Sequence, residues 1–319
     1  MISPKSFARR FLKARNVEVP PVILLWWGSY GFRGGPTVGD QMAVDNLSAH
    51  LSRERIDHAV VSHPELELHG HLPVADIYRI KPVQQIVCVC GPLTDHRNLR
   101  DFLAIQPGAR KLAVGVSVLS NQSEMNRRFD RIIARDGVEP SFFDLAVNAV
   151  AAPGSKPSLR KVGLCLRGRQ REYGRARASM AESAAELFDG LISSRNMEAT
   201  VVDTVLSPDN TPDAIRRHFA ACDIILTTRM HGALLALAAG KPVIALDQIP
   251  GGAKVTAVVG KTGWPFVFDA GAVSLKSLED CLEKLDSGTT AQLIVQAQQR
   301  MLALTGNALA AATEAIRSG

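Results

Sequence analysis

A chain of 319 residues, 46% hydrophobic and 21% charged, has the makeup of a folded globular protein and is long enough for two domains of ordinary size. Its net charge of +6, from 37 Lys and Arg against 31 Asp and Glu, favours anionic partners: phosphorylated small molecules, acidic glycans, membrane surfaces or nucleic acid. With 5% aromatic residues and no recognition motif, nucleic acid is set aside.

No apolar run nears the roughly 20 residues that span a bilayer, and no signal-peptide pattern opens the chain. The odd set Cys88, Cys90, Cys165, Cys222 and Cys281 lies mostly in apolar runs, as expected of reduced thiols in a cytoplasm. Cys88-x-Cys90 lacks a partner pair and reads as core.

In chain order, residues 1–16 carry five cations and no acid. They read either as a basic amphipathic helix, in peripheral contact with the inner face of a membrane, or as a helix packed on its own domain. Val22–Gly28 is a buried first strand, with Trp26 and Trp27 as core. A glycine-rich loop follows, holding Tyr30, Phe32 and Arg33. Its Gly34-x4-Gly39 spacing lacks the Lys-Ser/Thr of a nucleotide loop and ends in Asp40 and Gln41 instead. A helix is expected from about Asp40 to Arg53, then strands at His58–Ser62, Ile86–Gly91, Leu112–Val118 and Asp130–Asp136, and a helix at Val138–Asn148. His63, His69, His71 and Asp76 sit around what reads as an irregular loop, and their spacing fits no standard zinc framework. Asp95 and His96 follow the Gly91–Pro92 turn.

Ala151–Ser158 is the linker candidate, dividing residues 1–150 from 151–319. Beyond it the reading is strand Lys161–Leu166, long helix Gly174–Arg195 and strand Ala199–Val205. A helix over Thr211–Ala221 is capped by Thr211 with Pro212 at its first position. Strands alternating with helices in both halves imply two doubly wound, Rossmann-like α/β domains across a cleft. Trp264–Phe268 is a last strand, and helices near Leu275–Leu285 and Ala291–Arg317 close the chain, the final one bracing both halves.

The most informative stretch is Asp223–Asp247. Ile224–Leu226 is a buried strand, Thr227–His231 a polar corner, Gly232–Ala239 a small-residue helix, Gly240 a left-handed cap, and Val243–Leu246 the next strand. Arg229 and His231 thus stand where a strand meets a helix amino terminus. Open α/β sheets bind ligands at such corners, and helix dipoles favour anions there.

The run Thr228-Arg229-Met230-His231-Gly232-Ala233, followed by Ala239-Gly240-Lys241-Pro242-Val243-Ile244, closely resembles polysaccharide pyruvyl transferases. Gly39-Asp40 is similar to that family's Asn-x-Gly-Asp turn, with Thr37 in place of the Asn. Arg135-Asp136 with Ser141 resembles its Arg-Asp and Ser, Lys161–Arg167 a strand ending in Arg, and Lys254-Val255 a Lys-Val after the Pro-Val-Ile strand. The aromatic usual after that strand is replaced near Asp247–Gln248.

The resemblance implies a GT-B-like fold and transfer of a pyruvyl group from phosphoenolpyruvate to two hydroxyls of a glycan or lipid-linked oligosaccharide precursor. The first domain would be the acceptor side and the second the donor side. A donor carrying phosphate and carboxylate needs fixed cations, and Arg229, Arg167 and Lys254 could supply them. His231 could be the general acid and Asp40 the carboxylate that takes the hydroxyl proton. Gly39, Gly91, Met230 and Gly232 complete the substrate-binding set. The scheme calls for no metal and no cofactor beyond the donor.

Each residue also has a plain structural reading. Arg229 could form an interdomain ion pair, His231 could cap its helix, Asp40 could be an N-cap, and Arg167 and Lys254 could be solvated. Two other functions stand beside the first. One is a glycosyltransferase using a sugar nucleotide, with Asp247 or Asp269 holding a ribose. The other is a non-catalytic relative in a glycan-assembly complex.

Overall fold

The computed structural model describes residues 19–30, 35–63, 66, 68, 70–73, 83–154, 159–174 and 177–318. The basic segment 1–16, Phe32, Arg33, His69, Asp76 and residues 155–158 of the linker candidate lie outside them.

The first sheet has seven strands: β1 (Val22–Trp26), β2 (His58–Ser62), β3 (His71–Pro73), β4 (Gln85–Val89), β5 (Pro92–Leu93), β6 (Arg110–Val118) and β7 (Arg131–Asp136). All pair in parallel in the order β3-β2-β1-β4-β6, with β5 and β7 both bonded to β6. Setting aside the two-residue β5, this is the doubly wound order that reverses beside the first strand. The period of two is visible in β1: Val22, Leu24 and Trp26 enter one apolar cluster, and Ile23 and Leu25 the other. Burial on both faces explains why these strands read as continuous apolar runs. Helix α1 (Val38–Arg53) covers one face, and α2 (Arg97–Ile105) follows β5.

The second sheet holds β8 (Lys161–Cys165), β9 (Glu198–Val201), β10 (Ile224–Thr227), β11 (Val243–Asp247) and β12 (Val267–Asp269), in the order β12-β11-β10-β8-β9. Its connecting helices are α3 (Ala181–Ser194), α4 (Pro212–Ala220), α5 (Met230–Ala238) and α6 (Leu275–Leu285). Thr211 caps α4 through Ala214 N at 3.3 Å, with Pro212 at the first position. Gly240 takes φ +72° after α5, as the sequence required of that turn. The order reverses between β8 and β10, and at such a switch point the loops diverge and leave a crevice.

Helix α7 (Thr290–Arg317) spans about 42 Å at the usual rise and touches both halves. Gln298 Nε2 donates to Leu237 O and Ala151 O, each at 2.8 Å. At the far end Gln85 Nε2 donates to Ile316 O at 2.7 Å and Arg110 Nη1 to Ala315 O at 2.6 Å. The expected brace is present.

Four local expectations are corrected. Residues 138–148 are not helical. Their backbone bonds outside any helical ladder: Phe142 N donates to Ala134 O at 2.7 Å, and Ala146 N to the Asp144 side chain, Oδ1, at 2.8 Å. The helix expected from Gly174 begins at Ala181, because Gly174 turns at φ +76° after a short 3₁₀ turn at Arg171–Tyr173. The irregular loop near His71 contains β3, whose residues 71–73 pair with Val60–Ser62. The last strand is Val267–Asp269, since Trp264 instead buries its ring against Phe266 and donates Nε1 to Val243 O at 2.8 Å.

Candidate active site

The site forms where the carboxyl ends of β8, β10 and β11 meet the start of α1. Thr227 ends β10 with its hydroxyl donating to Cys165 O at 2.7 Å and accepting from Arg229 N at 2.9 Å. This stitches the corner to its neighbour strand and leaves Arg229 in extended conformation as the N-cap of α5. Arg229 Nε donates to Leu166 O at 2.7 Å, and Nη2 lies 3.3 Å from Asp203 Oδ1. Both partners belong to the second half, so the interdomain ion pair entertained for this residue is corrected to a pair within that half. Burial lowers its guanidinium from the ordinary value. Met230 is buried. Gly232 is there because a Cβ would stand 2.4 Å from Thr227 Oγ1 and 3.1 Å from Cys165 Sγ, so only glycine lets α5 approach β10 this closely.

Arg167 leaves β8 with its amide bound to Thr228 Oγ1 at 2.8 Å. Arg167 and Arg229 therefore stand on the two strands that flank the switch point. Neither Arg167 nor Lys254 is a solvated cation. Three donors converge on one oxygen, Glu172 Oε1: Arg167 Nη2 at 3.1 Å, Gln170 Nε2 at 3.2 Å and Lys254 Nζ at 3.6 Å. Burial would raise the Glu172 carboxyl, but Lys254 and Arg167 outweigh it and hold it low. Lys254 heads a π-helical turn, Val255–Val259, and is 9% exposed. Burial, and after it the nearby Arg167, push its amine from 10.5 down to about 8.

The first half contributes the turn that opens α1. Thr37, not Asp40, is the N-cap: its Oγ1 accepts from Asp40 N at 3.2 Å and donates to Asp40 Oδ2 at 2.7 Å. Asp40 as N-cap is thereby corrected, and its carboxylate sits 3.8 Å from Arg135 Nη1. The turn is zipped to the second half by Val38 N to Thr204 O and Leu206 N to Pro36 O, each 2.8 Å.

Here the two halves meet through His231. Nε2 lies 3.2 Å from Asp144 Oδ2, and Nδ1 lies 3.5 Å from Thr37 Oγ1. The ring does not cap α5; it crosses to the other half. Arg135, fully buried, donates Nη1 to Asp144 Oδ2 at 2.7 Å and holds Nε 3.5 Å from Asp136. Asp40, Arg135, Asp144, His231 and Thr37 thus form a closed circuit. Burial would raise the Asp144 carboxyl, yet His231 and Arg135 hold it well below the ordinary range. The same acids, Asp144 first, hold the Arg135 guanidinium above its ordinary value despite burial. Lys261 adds a second crossing, with Nζ donating to Ser141 Oγ at 2.8 Å and to Phe142 O at 2.6 Å.

Gly39 faces His231, and Gly91 (φ +81°) packs beside Gly28, so the former is at the junction and the latter at the end of β4. Asp95 pairs with Arg100 at 3.3 Å, and His96 lies against the Trp27 ring; neither joins the circuit. His71 faces Asp45 at 3.9 Å. Among the described residues no group of three His, Cys, Asp or Glu could hold a metal, and all five cysteines are buried and unpaired in disulfides. An apolar cavity of about 440 Å³ lies apart from the site, between α1, α4, α5 and residues 146–151.

Asp144, Glu172, Asp203 and Lys261 were not singled out from the sequence. Asp144 had a readable signal: a lone carboxylate inside the apolar run Phe142–Val147 has to find a cation when buried. Glu172 had none, because nothing local shows that its loop folds back with Arg167 and Gln170 onto Lys254, 82 residues away.

Two parallel doubly wound sheets with the site between strand ends define a GT-B-like α/β protein. A Listeria monocytogenes protein described as a UDP-N-acetylglucosamine 2-epimerase shares the fold at TM-score 0.57 and 13% identity, over 94% of this chain and 98% of its own. A spinosyn rhamnosyltransferase does so at 0.51 and 11%, over 89% and 96%. At such identities the likeness concerns the fold alone. The model of the polysaccharide pyruvyl transferase family matches residues 174–248, so the resemblance carried by Arg229–Ile244 holds over that segment. No curated protein matches the chain by sequence.

Proposed function

We propose that this protein is a glycan-modifying transferase that moves the pyruvyl group of phosphoenolpyruvate onto two sugar hydroxyls as a ketal. The observation that carries this reading is the set of cations at the β8, β10 and β11 ends, Arg167, Arg229 and Lys254, next to His231 in the family-matched segment. A donor with phosphate and carboxylate on one small frame needs several cations close together. Arg229 and the amino terminus of α5 suit the phosphate, while Arg167 and Lys254 already hold a carboxylate oxygen of Glu172.

In the proposed reaction His231 protonates the methylene carbon, and a sugar hydroxyl adds to the carbon bearing the phosphate, losing its proton to Asp40. The second hydroxyl then displaces phosphate. One hydroxyl proton is accounted for in the new methyl group and the other leaves with phosphate, so the sum is ketal plus inorganic phosphate. The acceptor is a glycan or lipid-linked oligosaccharide bound from the first half. Membrane contact through residues 1–16 remains part of this proposal; among the described residues no helix is long and apolar enough to cross a membrane.

In the sugar-nucleotide reading both candidate ribose carboxylates already carry amide partners. Asp247 accepts from the amides of Ile249, Ala253 and Thr256, and Asp269 from those of Gly251 and Gly271. Incubation with labelled phosphoenolpyruvate and a panel of bacterial glycan acceptors should release phosphate only when acceptor is present. Release that is absent across the panel, with thermal stabilisation by nucleotide sugars instead, would reject the proposal.

A further inference from the structure

Taking His231 as the proton donor, as proposed above, the circuit around it says which nitrogen acts and what holds it. We infer that Asp144 is a positioning residue that holds the Nε2–H of His231 in both ring states, so that Nδ1 gives up the proton of the imidazolium and is left bare in the neutral ring. A carboxylate can only accept hydrogen bonds. Asp144 is kept ionised by Arg135, and its Oδ2 faces Nε2 at 3.2 Å, so Nε2 carries the hydrogen. Its other oxygen is committed to Ala146 N at 2.8 Å, which stops the carboxylate from turning away. A carboxylate that fixes one ring nitrogen leaves the other to exchange protons with substrate.

Nδ1 is the loosely held edge. Thr37 Oγ1 is 3.5 Å away, beyond the ordinary range for a strong bond, and its hydroxyl hydrogen already points to Asp40 at 2.7 Å. An incoming acceptor atom can replace so weak a contact. Gly39 packs directly against the ring, where a Cβ would stand 2.2 Å from His231 Cγ and 2.5 Å from Nδ1, so only glycine lets the imidazole seat between Asp144 and Thr37.

The Thr37 hydroxyl also closes the proton balance. After Nδ1 gives its proton to the methylene carbon, the proton taken by Asp40 from the sugar hydroxyl returns through Thr37 to Nδ1. Every element of this socket, Thr37, Gly39, Asp40, Arg135 and Asp144, belongs to the first half, whereas the donor cations belong to the second. The acid is therefore set in its working form only where the halves are docked.

Full-length protein labelled with 15N-histidine tests this without any substrate. At a pH where His231 is neutral, Nε2 should carry the hydrogen and Nδ1 should not; a ring protonated at Nδ1 overturns the inference. In turnover, Asp144→Asn should lower kcat about a thousandfold, as expected when an orienting carboxylate is lost, with the donor KM within about threefold of wild type. If that variant misfolds because Arg135 loses its closest partner, Thr37→Val should lower kcat at least tenfold while Thr37→Ser retains it. Equal kcat in Thr37→Val and Thr37→Ser, or wild-type kcat in Asp144→Asn, overturns it. Failure of phosphate release in the wild type would reject pyruvyl transfer but leave the labelled-histidine measurement to decide this inference.

Discussion

Lys254 gives the site a measurable pH response. Its amine, brought down from 10.5 to about 8, carries a net penalty on its charged form of about 3.4 kcal/mol, what burial and Arg167 cost after Glu172 offsets part of it. An anionic donor binds the protonated form, so affinity should be level below pH 8 and fall about tenfold per pH unit above it. Between pH 7 and pH 9 the loss is about tenfold, or about 1.4 kcal/mol. The donor phosphate, with a second pKa of about 6, is mostly ionised across that range, and Arg167 and Arg229 stay charged, so Lys254 should dominate the slope.

Calorimetric titration in buffers of different ionisation enthalpy should show uptake of about half a proton per donor at pH 8, falling away towards pH 7 as Lys254 is already protonated. Lys254→Met should bind more weakly at pH 7 and show neither slope nor uptake. Folding stability moves the opposite way. The folded-state value lies below the unfolded one, so the folded chain binds fewer protons between about pH 8 and 10.5, and this group's contribution to stability rises with pH there. Weaker binding at pH 9 thus cannot be blamed on unfolding by Lys254. Affinity that is flat from pH 7 to 9 in the wild type would refute the reasoning.

Other outcomes follow from the geometry. Arg229→Lys should lower kcat/KM by at least a hundredfold, since lysine cannot both donate to Leu166 O and present a planar fork; wild-type rates would remove Arg229 from donor binding. Gly232→Ala should cost about 1–3 kcal/mol in denaturant unfolding, because the added methyl meets Thr227 Oγ1 at 2.4 Å. Lys261→Met should lower stability by about 1–3 kcal/mol by leaving the carbonyls of Arg135 and Phe142 without their partner; an unchanged unfolding midpoint would show that water replaces the amine. Asp144, whose carboxyl is held low in the fold, contributes stability that is complete above about pH 5 and is lost as pH falls through 4 and below. Asp144→Asn should therefore flatten the acid limb of the stability curve, and an identical acid limb would contradict the ion pairing described.

The strands were legible because burial on both faces turns each into an uninterrupted apolar run, and the α4 and α5 ends because Thr211, Pro212 and Gly240 leave local signatures. What failed was segments whose conformation is decided from a distance. Residues 138–148 have helix-like apolar spacing, but Lys261 binds their backbone and Ser141, and Arg135 and His231 hold Asp144, from outside. The corner at Arg229 and His231 could be read as an anion site from its place between strand and helix. Its partners could not, because Asp203, Asp144 and Thr37 reach it through tertiary contacts 26, 87 and 194 residues away. Asp40 illustrates both sides: its nearness to a helix start was plain, while the choice between Thr37 and Asp40 as cap depended on where the first turn begins.

Helix α7 has a consequence for the order in which the molecule can be built. Gln85 Nε2 and Arg110 Nη1, at the strand starts of the first sheet, donate to Ile316 O and Ala315 O, and Glu54 Oε2, after α1, accepts from Arg317. These residues are synthesised only after every strand of both sheets. A nascent chain that has made the whole first half would still carry a buried-type glutamine with no acceptor and an uncovered apolar rim. The first half therefore completes its bonding only once α7 has been delivered, and a ribosome-stalled chain ending before residue 290 should bind the chaperones that attend exposed sheets.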